Sequence, residues 1–99
     1  MLELPEGPLV STEWLAANLD HPQLRVVDMR GKVLPPTAPK PHYYARHDDY
    51  AAGHIPGALY IDWTQDIVDL EDPVPAQVAP PLKIARVFGD MGIGDDSVV

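Results

Sequence analysis

Asp49-Tyr50-Ala51-Ala52-Gly53-His54-Ile55-Pro56-Gly57-Ala58-Leu59-Tyr60-Ile61-Asp62 is the stretch on which the reading of this chain turns. Tyr50, Ala51 and Ala52 suit the last turn of a helix, and Gly53 suits the left-handed position just past a helix end. Pro56-Gly57 joins a fixed φ to a residue free to take a positive one, the requirement of a type II turn. Ile55 is expected to dip into the core ahead of that turn. Ala58 to Ile61 then run on as a short apolar strand, closed by Asp62. Local chemistry accounts for the punctuation and leaves His54 without a reason.

On the N-terminal side, Met1 to Pro8 reads as a loose lead-in and Leu9-Val10 as a short strand. Ser11 is a good N-cap for a helix over 12–18, with Glu13 in its first turn and Trp14, Leu15 and Leu19 near one face. Asp20-His21-Pro22 ends that helix, because a residue before proline avoids the α region. Leu24 to Asp28 is a strand with β-branched residues at its centre. Asp28 stands at its C-terminal end, where polar groups line the cleft of an open α/β sheet, although a lone aspartate there suits a loop cap as well. Met29 to His47 reads as an extended loop. Pro35, Pro36, Pro39 and Pro41 exclude a helix or a central strand, and Tyr43-Tyr44 supply apolar anchors. Its length fits a lid or an interface segment better than a plain connector.

On the C-terminal side, Trp63 reads as a packing residue and Glu71 to Pro81 as a second proline-rich connector. Pro80-Pro81 opens a helix whose apolar face is Leu82, Ala85, Val87, Phe88 and Met91, with Lys83 and Arg86 pointing away. Gly92 is its C-cap signal, Gly94-Asp95-Asp96 turns the chain, and Ser97-Val98-Val99 begins a strand. The alternation predicts one α/β domain over residues 1–99, with a mainly parallel sheet flanked by helices on both faces. The chain is expected to be a piece of a longer polypeptide, cut within its fourth strand.

Ninety-nine residues suffice for one small core. With 15 acidic and seven basic side chains the net charge is -8 and the pI about 4.6, which disfavours nucleic acid and anionic membrane as partners. Arg25, Arg30, Lys32, Lys40 and Arg46 nevertheless cluster, with His42 and His47 beside them; this is either a solvated loop or an anion-attracting patch. There is no cysteine, so thiolate nucleophiles and thiolate metal sites are excluded. Met1 to Val10 has no signal-peptide pattern, and no apolar run is long enough to span a bilayer.

Few side chains suggest chemistry. His42 and His47, with Asp48 and Asp49, lack the converging ligands that zinc needs, and Asp66 to Asp72 lacks the spacing of a calcium loop. Ser11 and Ser97 come without a nucleophile elbow or an oxyanion hole. Gly92-Ile93-Gly94 leaves a helix rather than entering one, so it cannot cradle phosphate. No metal or cofactor is expected.

Four segments in order carry a resemblance: Val10-Ser-Thr-Glu-Trp-Leu15, Arg25-Val-Val-Asp-Met-Arg30, Tyr50-Ala-Ala-Gly-His-Ile-Pro-Gly-Ala-Leu-Tyr-Ile-Asp-Trp63 and Met91-Gly-Ile-Gly-Asp-Asp-Ser-Val-Val99. Together they resemble the rhodanese family of sulfurtransferases, in particular the N-terminal half of its two-domain members. The resemblance implies a rhodanese-like α/β fold and transfer of a sulfane sulfur from thiosulfate or 3-mercaptopyruvate to cyanide or another thiophilic acceptor. It places the persulfide-forming cysteine in a C-terminal catalytic domain of the same polypeptide. A cytoplasmic protein with no nucleic-acid or membrane partner is expected.

Since this chain has no cysteine, the resemblance carries over no catalytic residue, only the scaffold of Asp28, Gly53, His54, Ile55, Pro56, Gly57, Ala58 and Asp62. His54 is then a hydrogen-bonder that pins the turn. Family members often carry an aromatic soon after the strand ending at Asp28, whereas this sequence has Arg30-Gly31-Lys32. Arg30, Lys32 and Lys40 are candidates for drawing dianionic thiosulfate to the substrate entrance. The alternative is a cysteine-free rhodanese-like module used for protein binding or regulation.

Overall fold

The computed structural model describes residues 2–99; Met1, the first residue of the expected lead-in, lies outside them. In chain order the elements are α1 (Thr12–Asn18), β1 (Val27–Asp28), β2 (Gly31–Val33), β3 (Tyr43–Ala45), α2 (His47–Ala52), β4 (Leu59–Tyr60) and α3 (Pro81–Asp90). The strand that contains β1 has a parallel neighbour on each side. On one side Val27 pairs with Leu59 and Asp28 with Tyr60. On the other, Leu24 bridges Val98 in parallel, with Arg25 N–H donating to Val98 O and Val98 N–H to Gln23 O, both at 2.8 Å. Parallel strands need a crossover rather than a tight turn. The link from β1 to β4 contains β2, β3 and α2. Mixed helix and parallel strand make this an α/β fold, as the sequence leads one to expect.

The link is more ordered than its prolines suggest. β2 and β3 form an antiparallel hairpin, with Gly31 opposite Ala45, Lys32 opposite Tyr44 and Val33 opposite Tyr43. Leu34 N–H continues the ladder to His42 O at 2.7 Å. All four prolines fall in the tip beyond that bond, where no ladder donor is required. The expected loop over 29–47 is thus corrected to a hairpin with a proline-rich tip, tied across by a 2.8 Å bond from His42 Nε2 to Ala38 O.

Helix ends follow the sequence closely at some points and depart from it at others. Ser11 Oγ accepts from Trp14 N–H at 3.0 Å and caps α1 as expected. Gly57, at φ 78°, and a 2.9 Å bond from Ala58 N–H to Ile55 O complete the turn at Pro56-Gly57. Gly92 takes the left-handed position after α3, at φ 77°. Gly53 does not take that position after α2. Its backbone is extended, at φ 179° and ψ 130°, and its N–H bonds back to Asp49 O and Tyr50 O. Leu9-Val10 forms no strand and both residues are exposed, whereas Leu2 is buried and its N–H donates to Gln23 Oε1 at 3.0 Å.

The core is small: Leu2, Ala58, Ile61, Val68 and Ala79 are buried. Ile55 is 41% exposed rather than in the core. On α3, Ile84, Val87 and Phe88 are half-buried, as is Met91 just past its end, while Leu82 is 82% exposed and Ala85 faces outward. The inward face is therefore rotated from the one expected. Lys83 turns in with it, and its ammonium donates to Gln65 O and Val68 O, both at 2.8 Å. Its stem covers apolar surface while its head satisfies two loop carbonyls. The accessible surface is 7360 Å², against about 5600 Å² for a compact protein of 10.9 kDa. The radius of gyration is 15.6 Å, where about 13 Å is usual at this length.

Candidate functional site

Val26 to Arg30, Gly53, His54, Ile55 and Ala58 line an open groove of about 620 Å³ beside β1. Its charged wall is a closed circuit. Arg30 Nη2 lies 2.9 Å from Asp28 Oδ2 and donates to Gly53 O at 2.6 Å, while Asp28 Oδ1 accepts Arg30 N–H at 3.0 Å. The side-chain bond from Arg30, with the backbone bond behind it, holds the Asp28 carboxyl below its usual value of 3.8 and raises the guanidinium in return. The extended conformation of Gly53 goes with this circuit, because its carbonyl takes the guanidinium.

The turn is braced by Tyr50. Its hydroxyl donates to Ala58 O at 2.5 Å, across the Ile55-Pro56-Gly57 excursion. His54 Nδ1 lies 2.6 Å from Tyr50 O, and a carbonyl can only accept, so the proton is on Nδ1. The same His54 ring stacks on the Tyr50 ring, with centroids 3.8 Å apart and planes 12° apart. Pro56 and Gly57 form the turn rather than the groove wall. Asp62 lies beyond β4, where its Oδ1 accepts Thr64 N–H at 2.9 Å and its own N–H donates to Asp66 Oδ2 at 2.9 Å.

Lys32 and Lys40 are not in the groove with Arg30. Lys32 stands on β2 opposite Tyr44, both exposed, and Lys40 lies exposed in the hairpin tip. Side chains alternate along a strand, so Gly31, Val33, Tyr43 and Ala45 share the other face. Trp63 packs on part of that face, at Gly31 and Tyr43, while Val33 stays exposed. Its ring meets Tyr43 edge-on at 5.6 Å, and a methyl placed on Gly31 would come within 1.9 Å of the indole Nε1. The indole thus fills the space of a side chain at position 31, the region where the resemblance leads one to expect an aromatic from the strand's own exit.

Three features were not legible in advance. The Tyr60 hydroxyl accepts Arg46 N–H at 2.9 Å and donates to Arg30 O at 2.8 Å, tying the hairpin's base to β4. His47 packs its ring edge-on to Tyr60 at 5.1 Å. Arg46 pairs with Asp49 at 2.7 Å, which lowers that carboxyl and raises the guanidinium. The one local sequence signal among these was the i, i+3 spacing of Arg46 and Asp49. Among the described residues no three His, Cys, Asp or Glu side chains converge as metal ligands, and the chain has no thiol. A second, apolar groove of about 410 Å³ lies against the same strand, lined by Leu4, Trp14, Leu15, Val26 and Val99 among others.

Similarity to known proteins agrees with this scaffold. The chain is 32% identical, over 92% of its length, to the sulfur carrier protein TtuD of Thermus thermophilus, and covers 26% of that protein. It is 34% identical over 92% of its length to the thiosulfate sulfurtransferase of Corynebacterium glutamicum, covering 25% of it. With the 3-mercaptopyruvate sulfurtransferase of Escherichia coli K12 the identity is 28% over 88% of the chain and 29% of the relative. No protein-family profile and no solved structure matches. The chain spans little more than a quarter of the length of these curated relatives. Over about nine-tenths of its length the chain is thus similar to part of curated sulfurtransferases, in keeping with its sequence motifs and its parallel α/β scaffold.

Proposed function

We propose that this chain is the N-terminal, non-catalytic part of a cytoplasmic thiosulfate sulfurtransferase whose C-terminal rhodanese domain carries the reacting cysteine. One observation carries the reading: a chain similar along about nine-tenths of its length to sulfurtransferases contains no cysteine. In the reaction, a thiolate attacks the sulfane sulfur of thiosulfate, the S–S bond breaks and sulfite leaves with the bonding electrons. Cyanide or another thiophile then takes the sulfur from the persulfide and restores the thiolate. 3-Mercaptopyruvate is the other donor this reading admits.

The part played here is support and access. The Asp28–Arg30–Gly53 circuit and the Tyr50–His54 brace hold the groove. Lys32 and Lys40 lie on the outward side of the hairpin, where a dianionic donor would meet them. Arg30 has its charge committed to Asp28, so its contribution is to shape rather than attraction. No described helix is long and apolar enough to cross a membrane.

The test is a cyanide-dependent assay of thiocyanate formed from thiosulfate, run on the 99-residue chain and on the longer polypeptide. The chain alone gives background and the longer polypeptide turns over. Turnover by the chain alone defeats the reading. A longer polypeptide with no cysteine, equally silent, transfers it to the alternative of a protein-binding module.

A further inference from the structure

We infer that Trp63 is a positioning residue for sulfur transfer, seating the basic hairpin so that Lys32 faces outward; this rests on the substrate-access reading above. The hairpin joins the body through short links, Met29-Arg30 on one side and Arg46 on the other. The Tyr60 hydroxyl bonds both links and so fixes the base of the hairpin. The Arg30 bonds to Asp28 and Gly53 O and the Arg46–Asp49 pair hold the same two links, but all of these act at the base and leave the tilt of the two strands open. That tilt is set by Trp63, which lies flush on bare backbone at Gly31 and edge-on to Tyr43. The strand register then dictates the rest. With Gly31 and Tyr43 turned toward the indole, Lys32 and Tyr44 must turn away from it. Neither Lys32 nor Lys40 forms an ion pair among the described residues, so both ammonium groups are available to an anion.

The experiment uses the complete sulfurtransferase polypeptide, with thiosulfate as donor at low ionic strength. Lys32→Glu raises KM for thiosulfate about three- to tenfold, an effect that fades with added salt. Trp63→Ala raises KM by a similar factor with kcat held, and Trp63→Phe restores most of it. In the double variant the two increases do not multiply, because a hairpin without its seat no longer presents Lys32. Unchanged KM in Trp63→Ala, or independent multiplication with Lys32→Glu, overturns the inference. If Lys32→Glu leaves KM unaltered, the substrate-access reading falls by itself. Amide exchange at Leu34 and Arg46 then decides the seat: faster exchange in Trp63→Ala upholds it, and unchanged exchange overturns it.

Discussion

Arg30 and Gly53, 23 residues apart, are joined by a 2.6 Å hydrogen bond from guanidinium to carbonyl, and this bond ties the exit of β1 to the end of α2. Arg30→Ala removes it and leaves Asp28 without its partner. The variant unfolds at lower urea concentration than the wild type. Arg30→Lys does not restore the midpoint, because an ammonium cannot grip both carboxylate oxygens and the carbonyl in one plane. Equal midpoints for wild type and Arg30→Ala would show the circuit to be ornamental.

Acid should open the same circuit. The folded value of Asp28 lies below its unfolded one, so its contribution is present above about pH 4 and is lost as the pH falls through the folded value. Asp49, lowered by Arg46, acts in the same direction. Urea midpoints measured between pH 6 and pH 2.5 therefore fall in the acid range. Asp28→Asn lowers the neutral plateau and flattens that fall. A wild-type midpoint independent of pH across this range contradicts the prediction.

Tyr60→Phe keeps the ring against His47 and removes the hydroxyl that bonds Arg30 O and Arg46 N–H, leaving their direct 3.2 Å bond in place. A net loss of about 1 kcal/mol is expected. Hydrogen exchange at the Arg46 amide quickens more than exchange at the Leu59 amide, which bonds Val26 O. Equal acceleration at both would point to global rather than local loosening.

Ile61, 1% exposed, is the largest side chain fully enclosed in the core. Ile61→Ala costs about 2–5 kcal/mol. A typical domain has about 5–15 kcal/mol in all. This chain keeps some 30% more surface in water than the area relation gives for its mass, so its reserve is at the low end. Circular dichroism of the isolated 99-residue variant should therefore show an unfolded chain at 25 °C. A cooperative melt like the wild type's would refute this.

Gly31→Ala introduces a methyl 1.9 Å from the Trp63 indole nitrogen and 2.9 Å from the backbone oxygen of Tyr44. Overpacking of this kind costs about 1–3 kcal/mol. The Trp63 fluorescence maximum shifts to the red as the indole is pushed into water. Gly53→Ala, with open space around the added methyl and an extended backbone, is the contrasting case and costs little.

What could be read in the sequence was what neighbours in the chain decide. Pro56-Gly57 made its turn, Ser11 its cap and Gly92 its left-handed exit, each from side chains within a few positions. Gly53 was misjudged because glycine accepts extended and left-handed backbone alike, and the choice goes with a guanidinium 23 residues away. The hairpin was hidden because four prolines dominated the composition of a segment whose strands hold only three residues each. Ile55 was placed inside by hydrophobicity, but it is left 41% exposed among the described residues. Lys83 was turned outward by residue type alone, whereas its reach lets the charge settle on carbonyls at the protein's own surface. Trp63 was recognised as a packing residue without any means of naming Gly31 as the residue it packs on.

That last pair has an evolutionary corollary. Positions 31 and 63 draw on one parcel of space, so neither can mutate freely while the other stays as it is. A lineage that acquires a bulky residue after the first strand should carry a small one beyond the fourth, and intermediates with both large should be rare. Aligned orthologues would display this as anticorrelated side-chain volume at two sites 32 residues apart.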